Sequence, residues 1–407
     1  MGVLVSGKPS YEEVKLLGVP PILNGTGLAQ AEATYNLTVE WKVDGLIVDI
    51  VFDTTASNSG WKNGACVRIE ILFDRKLIYL ACRHHVLEIV LCDSSKVVFG
   101  ATTSPDNPDF KHLKSIWHNV DKASYKTLQI KERKLKVLRT ESIRFILTLL
   151  DSEQKFLPDD YREVAEVTLI ILGETPPRGI RWLEPGAHHH ARWMATIIYC
   201  AKMFAFSDQL GYENSKIENL ERICLFNSLH YVKMWLTAPL AADVPHNDLE
   251  FWKLMKAYEK IDREIALHAR NALERHFWYL TEKLVALAFF SDKVPDVMKK
   301  KMARTLLKNP PKEAVMDVPV FNLIKESTTL ESLIGPKSWT LFELLKVKTD
   351  WLYLDPNKWC ENSDFLQVQD FVHSVKVVND LAERAVKLLQ DFVKVTKDKA
   401  KSSFCYK

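Results

Sequence analysis

An almost unbroken apolar run at residues 45–52 is the feature that most constrains what this chain can fold into. It reads Gly-Leu-Ile-Val-Asp-Ile-Val-Phe and is rich in β-branched side chains. Such a run is typical of a strand that is buried on both faces of a sheet. Asp53 ends the run, and the turn-forming cluster Thr-Thr-Ala-Ser-Asn-Ser-Gly follows it. We therefore expect a central strand with a carboxylate at its carboxyl end.

A helix and a second strand follow this run. Apolar residues recur at the spacing of one helical face between positions 65 and 73, and residues 77–81 form a second short apolar stretch. Strand, helix and strand in this order form a βαβ unit, which predicts that the two strands pair in parallel. Residues 3–5 also favour a strand.

The remainder of the chain is predominantly helical by its periodicity. Helical patterns cover residues 191–206, 217–236, 249–290 and 374–395, and linker-like stretches lie near 102–108, 175–186 and 308–319. The predicted fold class is α/β plus all-α. We expect three parts, namely an α/β core at 1–105, a helical body at 106–365 and a closing C-terminal helix at 366–407.

Bulk composition limits the partners that can be inferred. With 407 residues, 47% of them hydrophobic, the chain has the composition of a folded protein rather than a disordered tail. Its formal net charge of +3 is too small to indicate nucleic-acid binding, so a phosphate-binding surface must be a local patch. Seven scattered cysteines and the lack of a signal-peptide pattern predict a reducing compartment without secretion. No apolar run reaches the ~18 residues of a membrane span, so no membrane partner is expected.

Asp53 is the first candidate for chemistry, because open α/β sheets bind ligands at the carboxyl ends of their strands. A divalent cation needs carboxylate oxygens from separate elements, so Asp53 requires a distant partner. The alternative is that Asp53 caps the turn that follows it, and the residues alone favour this capping role.

Cys82 and His85 form a second candidate, since their C-x-x-H spacing places both side chains on one face of a helix after the second strand. Structural zinc needs four ligands, and no second pair follows at a suitable spacing. A buried thiol beside a hydrogen-bonded histidine is the simpler interpretation.

Several further residues have both a functional and a structural interpretation. Glu383 could be a catalytic acid or could pair with Lys387 on a solvated helix face. Trp193, which follows the triple histidine at 188–190, is by default a core aromatic. Basic residues are concentrated at 299–308 and in a second stretch, where they could contact phosphates or remain solvated. The second stretch contains Lys122, Lys126, Lys131, Arg133, Lys134, Lys136 and Arg139.

Four sequence blocks together resemble the catalytic region of hAT-type transposases and of proteins derived from them. Residues 52–60 read F-D-T-T-A-S-N-S-G and residues 81–85 read A-C-R-H-H. Residues 185–187 (P-G-A) lead to 191–194 (A-R-W-M), and residues 379–384 read N-D-L-A-E-R. The blocks occur in the order of that family.

The resemblance implies an RNase H-like core that is interrupted by a large helical insertion. It assigns Asp53 and Glu383 as catalytic carboxylates that bind Mg²⁺ or Mn²⁺ for in-line attack on phosphorus. Cys82 and His85 would lie behind this metal site. Arg192 and Trp193 would contact DNA, with Trp193 stacking on a displaced base, and Lys131, Arg133 and Lys134 are the expected phosphate contacts. The resemblance implies a nuclear location, with a cytoplasmic location as the alternative. Whether the chain forms a homo-oligomer stays open.

The family's first catalytic carboxylate has no counterpart in this sequence. Residues 1–7 resemble the segment just after that acid, so the resemblance predicts a truncated core that lacks its first strand and is catalytically incomplete. The alternative function is a non-enzymatic scaffold that descends from a transposase and binds DNA or protein.

Overall fold

The computed structural model of the chain describes residues 1–7, 11–100, 107–151, 159–186, 192–311, 324–378 and 393. Side chains are described for these residues except 12, 13, 192 and 193. Glu383, the triple histidine at 188–190 and the predicted helix beyond residue 378 thus lie outside the described residues, as does Lys387.

Within the ranges that the structure describes, four strands form two small sheets. Strands β1 (Val3–Gly7) and β2 (Tyr11–Gly18) pair as an antiparallel hairpin. Strands β3 (Asp49–Phe52) and β4 (Ile78–Ala81) pair in parallel. The predicted strand at residues 3–5 and the predicted parallel βαβ unit are both confirmed, whereas β2 was not predicted because its sequence alternates only weakly.

Helices make up most of the described chain, which is a helix-rich α/β protein. They are α1 (Gly27–Glu40), α2 (Ala56–Ser59), α3 (Ala65–Phe73), α4 (Arg83–Phe99), α5 (Pro108–Ile116), α6 (Arg133–Asp151), α7 (Asp159–Ile171), α8 (Arg192–Ala205), α9 (Asn214–Phe226), α10 (Val232–Leu236), α11 (Val244–Tyr258), α12 (Arg263–Glu274), α13 (Asp296–Lys308), α14 (Leu330–Leu333), α15 (Trp339–Leu345) and α16 (Ser363–Ser374). A π-helical turn, Asn227–Tyr231, joins α9 to α10. Short 3₁₀ helices include Trp278–Leu280 and Leu284–Phe290.

The chain divides into two compact units, each assembled from separated segments. The first unit comprises Met1–Val86, Ala238–Leu249 and Phe277–Lys407, and the second comprises Leu87–Thr237 and Glu250–His276. The predicted parts 1–105, 106–365 and 366–407 divide the chain consecutively, and that division stays a prediction.

The first unit contains the two sheets and an aromatic core. The rings of Phe289, Phe290 and Phe365 each contact that of Trp351, with centroids 5.0 Å apart for Trp351 and Phe365. Phe290 also stacks on Phe365. All four are buried. Aromatic contacts of this kind add to the area that the rings bury. These rings form an aromatic core of the unit that is separate from its two small sheets.

Three predictions about these elements were wrong. Strand β3 is not buried on both faces, because Asp49, Ile50 and Val51 are only half-buried. Among the described residues, β4 is the one strand that pairs with β3. The helical pattern at 249–290 is not one helix, because α11 ends at Tyr258 and the Asp262 carboxylate caps a new helix by accepting from the Ile265 amide. The pattern at 374–395 begins too early, because residues 375–377 follow α16 in extended conformation and Lys376 forms an antiparallel bridge with Leu240.

Candidate functional site

The carboxyl edge of the β3–β4 sheet brings the first two sequence blocks together. Phe52 and Ala81 are register partners in the parallel pair. The amide of Cys82 donates a hydrogen bond to the carbonyl oxygen of Phe52 at 2.7 Å. Asp53 and Cys82 therefore follow two neighbouring strands at one edge, as expected for the ends of parallel strands.

Asp53 binds its own turn through one carboxylate oxygen. Its Oδ1 accepts from the Thr55 amide at 3.1 Å, the Thr55 hydroxyl at 2.6 Å and the Asn58 side-chain amide at 2.7 Å. The turn leads directly into α2, so these contacts are those of a turn-capping residue. Asp53 Oδ2 accepts no hydrogen bond from the part of the chain that the structure describes and stays available to a further ligand.

The A-C-R-H-H block begins α4 and is largely buried. Cys82 and His84 are buried, and His85 is half-buried. A buried Cys82 agrees with the interpretation of a packed thiol. The hydroxyl of Tyr279 donates to the carbonyl oxygen of Ala81 at 2.7 Å. A residue 198 positions further along the chain therefore supports the end of β4.

Arg83 in the same block forms a buried ion pair that the sequence did not predict. Its Nη2 lies 2.5 Å from Asp248 Oδ1, and the two side chains are 2% and 0% exposed. The backbone amide of Arg83 also donates to the carbonyl oxygen of Val377. Burial raises the pKa of Asp248 to about 6, and the nearby Arg83 charge opposes that rise. Arg83 thus connects the start of α4 to two distant segments, and no local pattern could have revealed its partner.

The described residues do not complete a divalent-cation site. Asp53 supplies one open carboxylate oxygen, whereas Mg²⁺ and Mn²⁺ need several oxygen ligands. Within the described ranges, no cluster of three or more His, Cys, Asp or Glu side chains could hold a metal ion. Glu383 lies outside these ranges, so its predicted pairing with Asp53 stays a prediction.

The predicted DNA contacts lie in the second unit. Lys131, Arg133 and Lys134 are exposed where α6 begins. Arg192 and Trp193 are the first two residues of α8, and their side chains are not among those that the structure describes. In the first unit, the stretch at 299–308 is not wholly a surface patch, because Lys299 is only 7% exposed.

Comparison with known proteins leaves the chain without a match. No family model, no curated protein and no solved structure matches it. The family resemblance therefore rests on the four sequence blocks alone. Among the helices of the described ranges, none is long and apolar enough to cross a membrane.

Proposed function

We propose that this chain is a transposase-derived protein whose first unit descends from an RNase H-like core and whose helical second unit contacts DNA. The observation that carries the proposal is the juxtaposition of two family-like blocks at one sheet edge, through the hydrogen bond from Cys82 to Phe52. Asp53 occupies the position at which such a core holds a metal-binding carboxylate. Fold and position alone do not establish activity, so the chemistry is a separate question.

The proposed metal site is centred on Asp53. Asp53 Oδ1 is occupied by three donors of its own turn, which leaves Oδ2 as its open oxygen. A bound Mg²⁺ or Mn²⁺ would stabilise charge at a phosphoryl group. Asp53, with Glu383 as the expected partner, would hold it. Mg²⁺ and Mn²⁺ need several oxygen ligands, so we propose that Asp53 and Glu383 hold the ion together with further oxygen ligands.

DNA contact is proposed for the exposed basic surface of Lys131, Arg133 and Lys134, which we call the α6 basic surface. None of the three forms an ion pair with any residue in the described ranges, so their charges are available to phosphates. Contacts of this kind are sequence-independent and weaken as salt rises. The expected binding is therefore weak and salt-sensitive.

The descent is tested by the proximity of Asp53 and Glu383, because only the tertiary fold could bring these residues together. The exposed Cys92 and Cys360 are first replaced by serine, together with Cys405. Asp53→Cys and Glu383→Cys are then introduced. A thiol crosslinker that spans about 8–10 Å matches carboxylates sharing a two-metal site. Peptide mass spectrometry should detect the 53–383 crosslink in the intact chain.

The matched control places the second cysteine at Arg384, one residue further along. On the helix that the sequence predicts here, neighbouring residues point about 100° apart, so the control should crosslink much less. Equal crosslinking of both pairs, or none in either, would remove the support for an RNase H-like core. DNA binding that persists in that case would favour the scaffold alternative.

A further inference from the structure

A cleft in the second unit combines two basic side chains with backbone and hydroxyl groups. It has a volume of about 440 Å³ and lies between the loop at 127–130, the first half of α6 and the end of α7. Its lining includes Lys136, Arg139, Thr127, Thr140 and Gly173. Both charged residues of the lining are positive, and no lining residue is acidic.

Arg139 is held in place by one of its three nitrogens. Its Nε donates to the carbonyl oxygen of Leu172 at 2.7 Å, just beyond the end of α7. Its two Nη atoms donate to none of the residues that the structure describes. The guanidinium is therefore oriented before any ligand arrives and presents part of its donor fork to the cleft.

Gly173 lies just beyond the end of α7, beside Arg139. It adopts φ +79°, a conformation that L side chains rarely adopt, and a Cβ at this position would lie 3.5 Å from Arg139 Nη2. The α7 chain reverses here without filling the space beside the guanidinium. The cleft stays open next to the two free nitrogens.

Lys136 adds a second charge on the same helix face. It lies three residues before Arg139 on α6, a spacing that places the two side chains side by side. Lys136 is exposed and forms no ion pair with another residue of the described ranges.

We propose that this cleft binds a phosphate group, held by Arg139 and Lys136. A guanidinium fork beside an ammonium group is the donor set that recognises phosphate oxygens. The phosphate could belong to a nucleic-acid backbone or to a free phosphorylated molecule. The inference rests on the geometry of the second unit and not on the proposed descent. If the phosphate belongs to a nucleic-acid backbone, the cleft extends the α6 basic surface.

The test is calorimetric titration of the full chain with pyrophosphate. Lys136→Met removes a charge from an exposed position, and Arg139→Lys keeps the charge but loses the guanidinium fork. Each variant should weaken pyrophosphate binding by about tenfold, as expected for loss of a charge-assisted hydrogen bond. The matched control is Arg144→Gln, which removes an exposed charge of α6 outside the cleft and should bind like the parent chain.

Competition with a labelled DNA duplex then separates the two sources of phosphate. Displacement of the duplex by pyrophosphate, with the same losses in both variants, assigns a backbone phosphate. Pyrophosphate binding without displacement assigns a free phosphorylated ligand, and this arm stands even if the DNA proposal fails. Failure of pyrophosphate to bind, or equal binding by the parent chain and both variants, overturns the inference even if the duplex binds elsewhere.

Discussion

Arg83→Met tests the role that the structure gives to the A-C-R-H-H block. The substitution keeps an unbranched side chain and removes only the guanidinium that faces Asp248 in the folded chain. Both side chains are almost fully buried, so the carboxylate would lose its counter-charge without gaining water. Removing one partner of a buried pair costs about 3–5 kcal/mol of the free energy of unfolding.

The cost should depend on pH. Burial already raises the pKa of Asp248 to about 6, and loss of Arg83 raises it further. A carboxyl whose pKa is higher in the folded than in the unfolded state binds more protons when folded, so it destabilises the fold as pH rises. The variant should therefore be less destabilised at pH 5, where Asp248 takes up a proton, than at pH 8.

Urea unfolding followed by circular dichroism measures both effects. An unchanged slope m shows that the variants expose the same surface on unfolding as the parent chain. The double variant Arg83→Met, Asp248→Leu removes both charges and should recover most of the loss, because a well-packed apolar pair can replace a buried ion pair. The control Lys300→Met breaks the half-exposed pair with Asp355 in the same unit and should leave the urea midpoint nearly unchanged. A single variant as stable as the parent, or a double variant no better than the single, would refute this reasoning.

Three further outcomes are expected. The purified chain should bind Mn²⁺ more tightly than its Asp53→Ala variant does, and equal binding by the two proteins would contradict a metal-holding role for Asp53. Burial lowers the pKa of His230 to about 4. Between about pH 6.5 and 4 the unfolded chain therefore binds one more proton at His230 than the folded chain does. The free energy of unfolding should decrease by at most about 3 kcal/mol as the pH is lowered through that window. His230→Gln should flatten this part of the stability-versus-pH curve, and an unchanged slope would contradict it. Tyr279→Phe, which removes the hydrogen bond to the Ala81 carbonyl, should cost about 1–3 kcal/mol, read as a lower urea midpoint, whereas an unchanged midpoint would show that the bond does not support β4.

Local patterns were sufficient where the structure is itself local. The parallel β3–β4 pair, the helix between the strands and the start of α4 follow from apolar periodicity and turn residues within one continuous segment. The capping role of Asp53 was also accessible, because its three donors lie within five residues of it. Interactions over short separations depend on side-chain types at fixed spacing, which the sequence contains directly.

Interactions between distant segments were decided by the tertiary structure alone. The sequence places Arg83 in a recognisable block, yet its partner Asp248 lies 165 positions away and has no distinguishing pattern. The break after α11 depends on how Asp262 caps α12, and the half-burial of β3 depends on the number of strands that pair with it. Arg139 is likewise one of many surface cations in the sequence, and only the approach of the α7 end turns it into part of a cleft. The physical reason is that burial and charge pairing depend on which segments pack together, whereas periodicity and turn chemistry are properties of one segment.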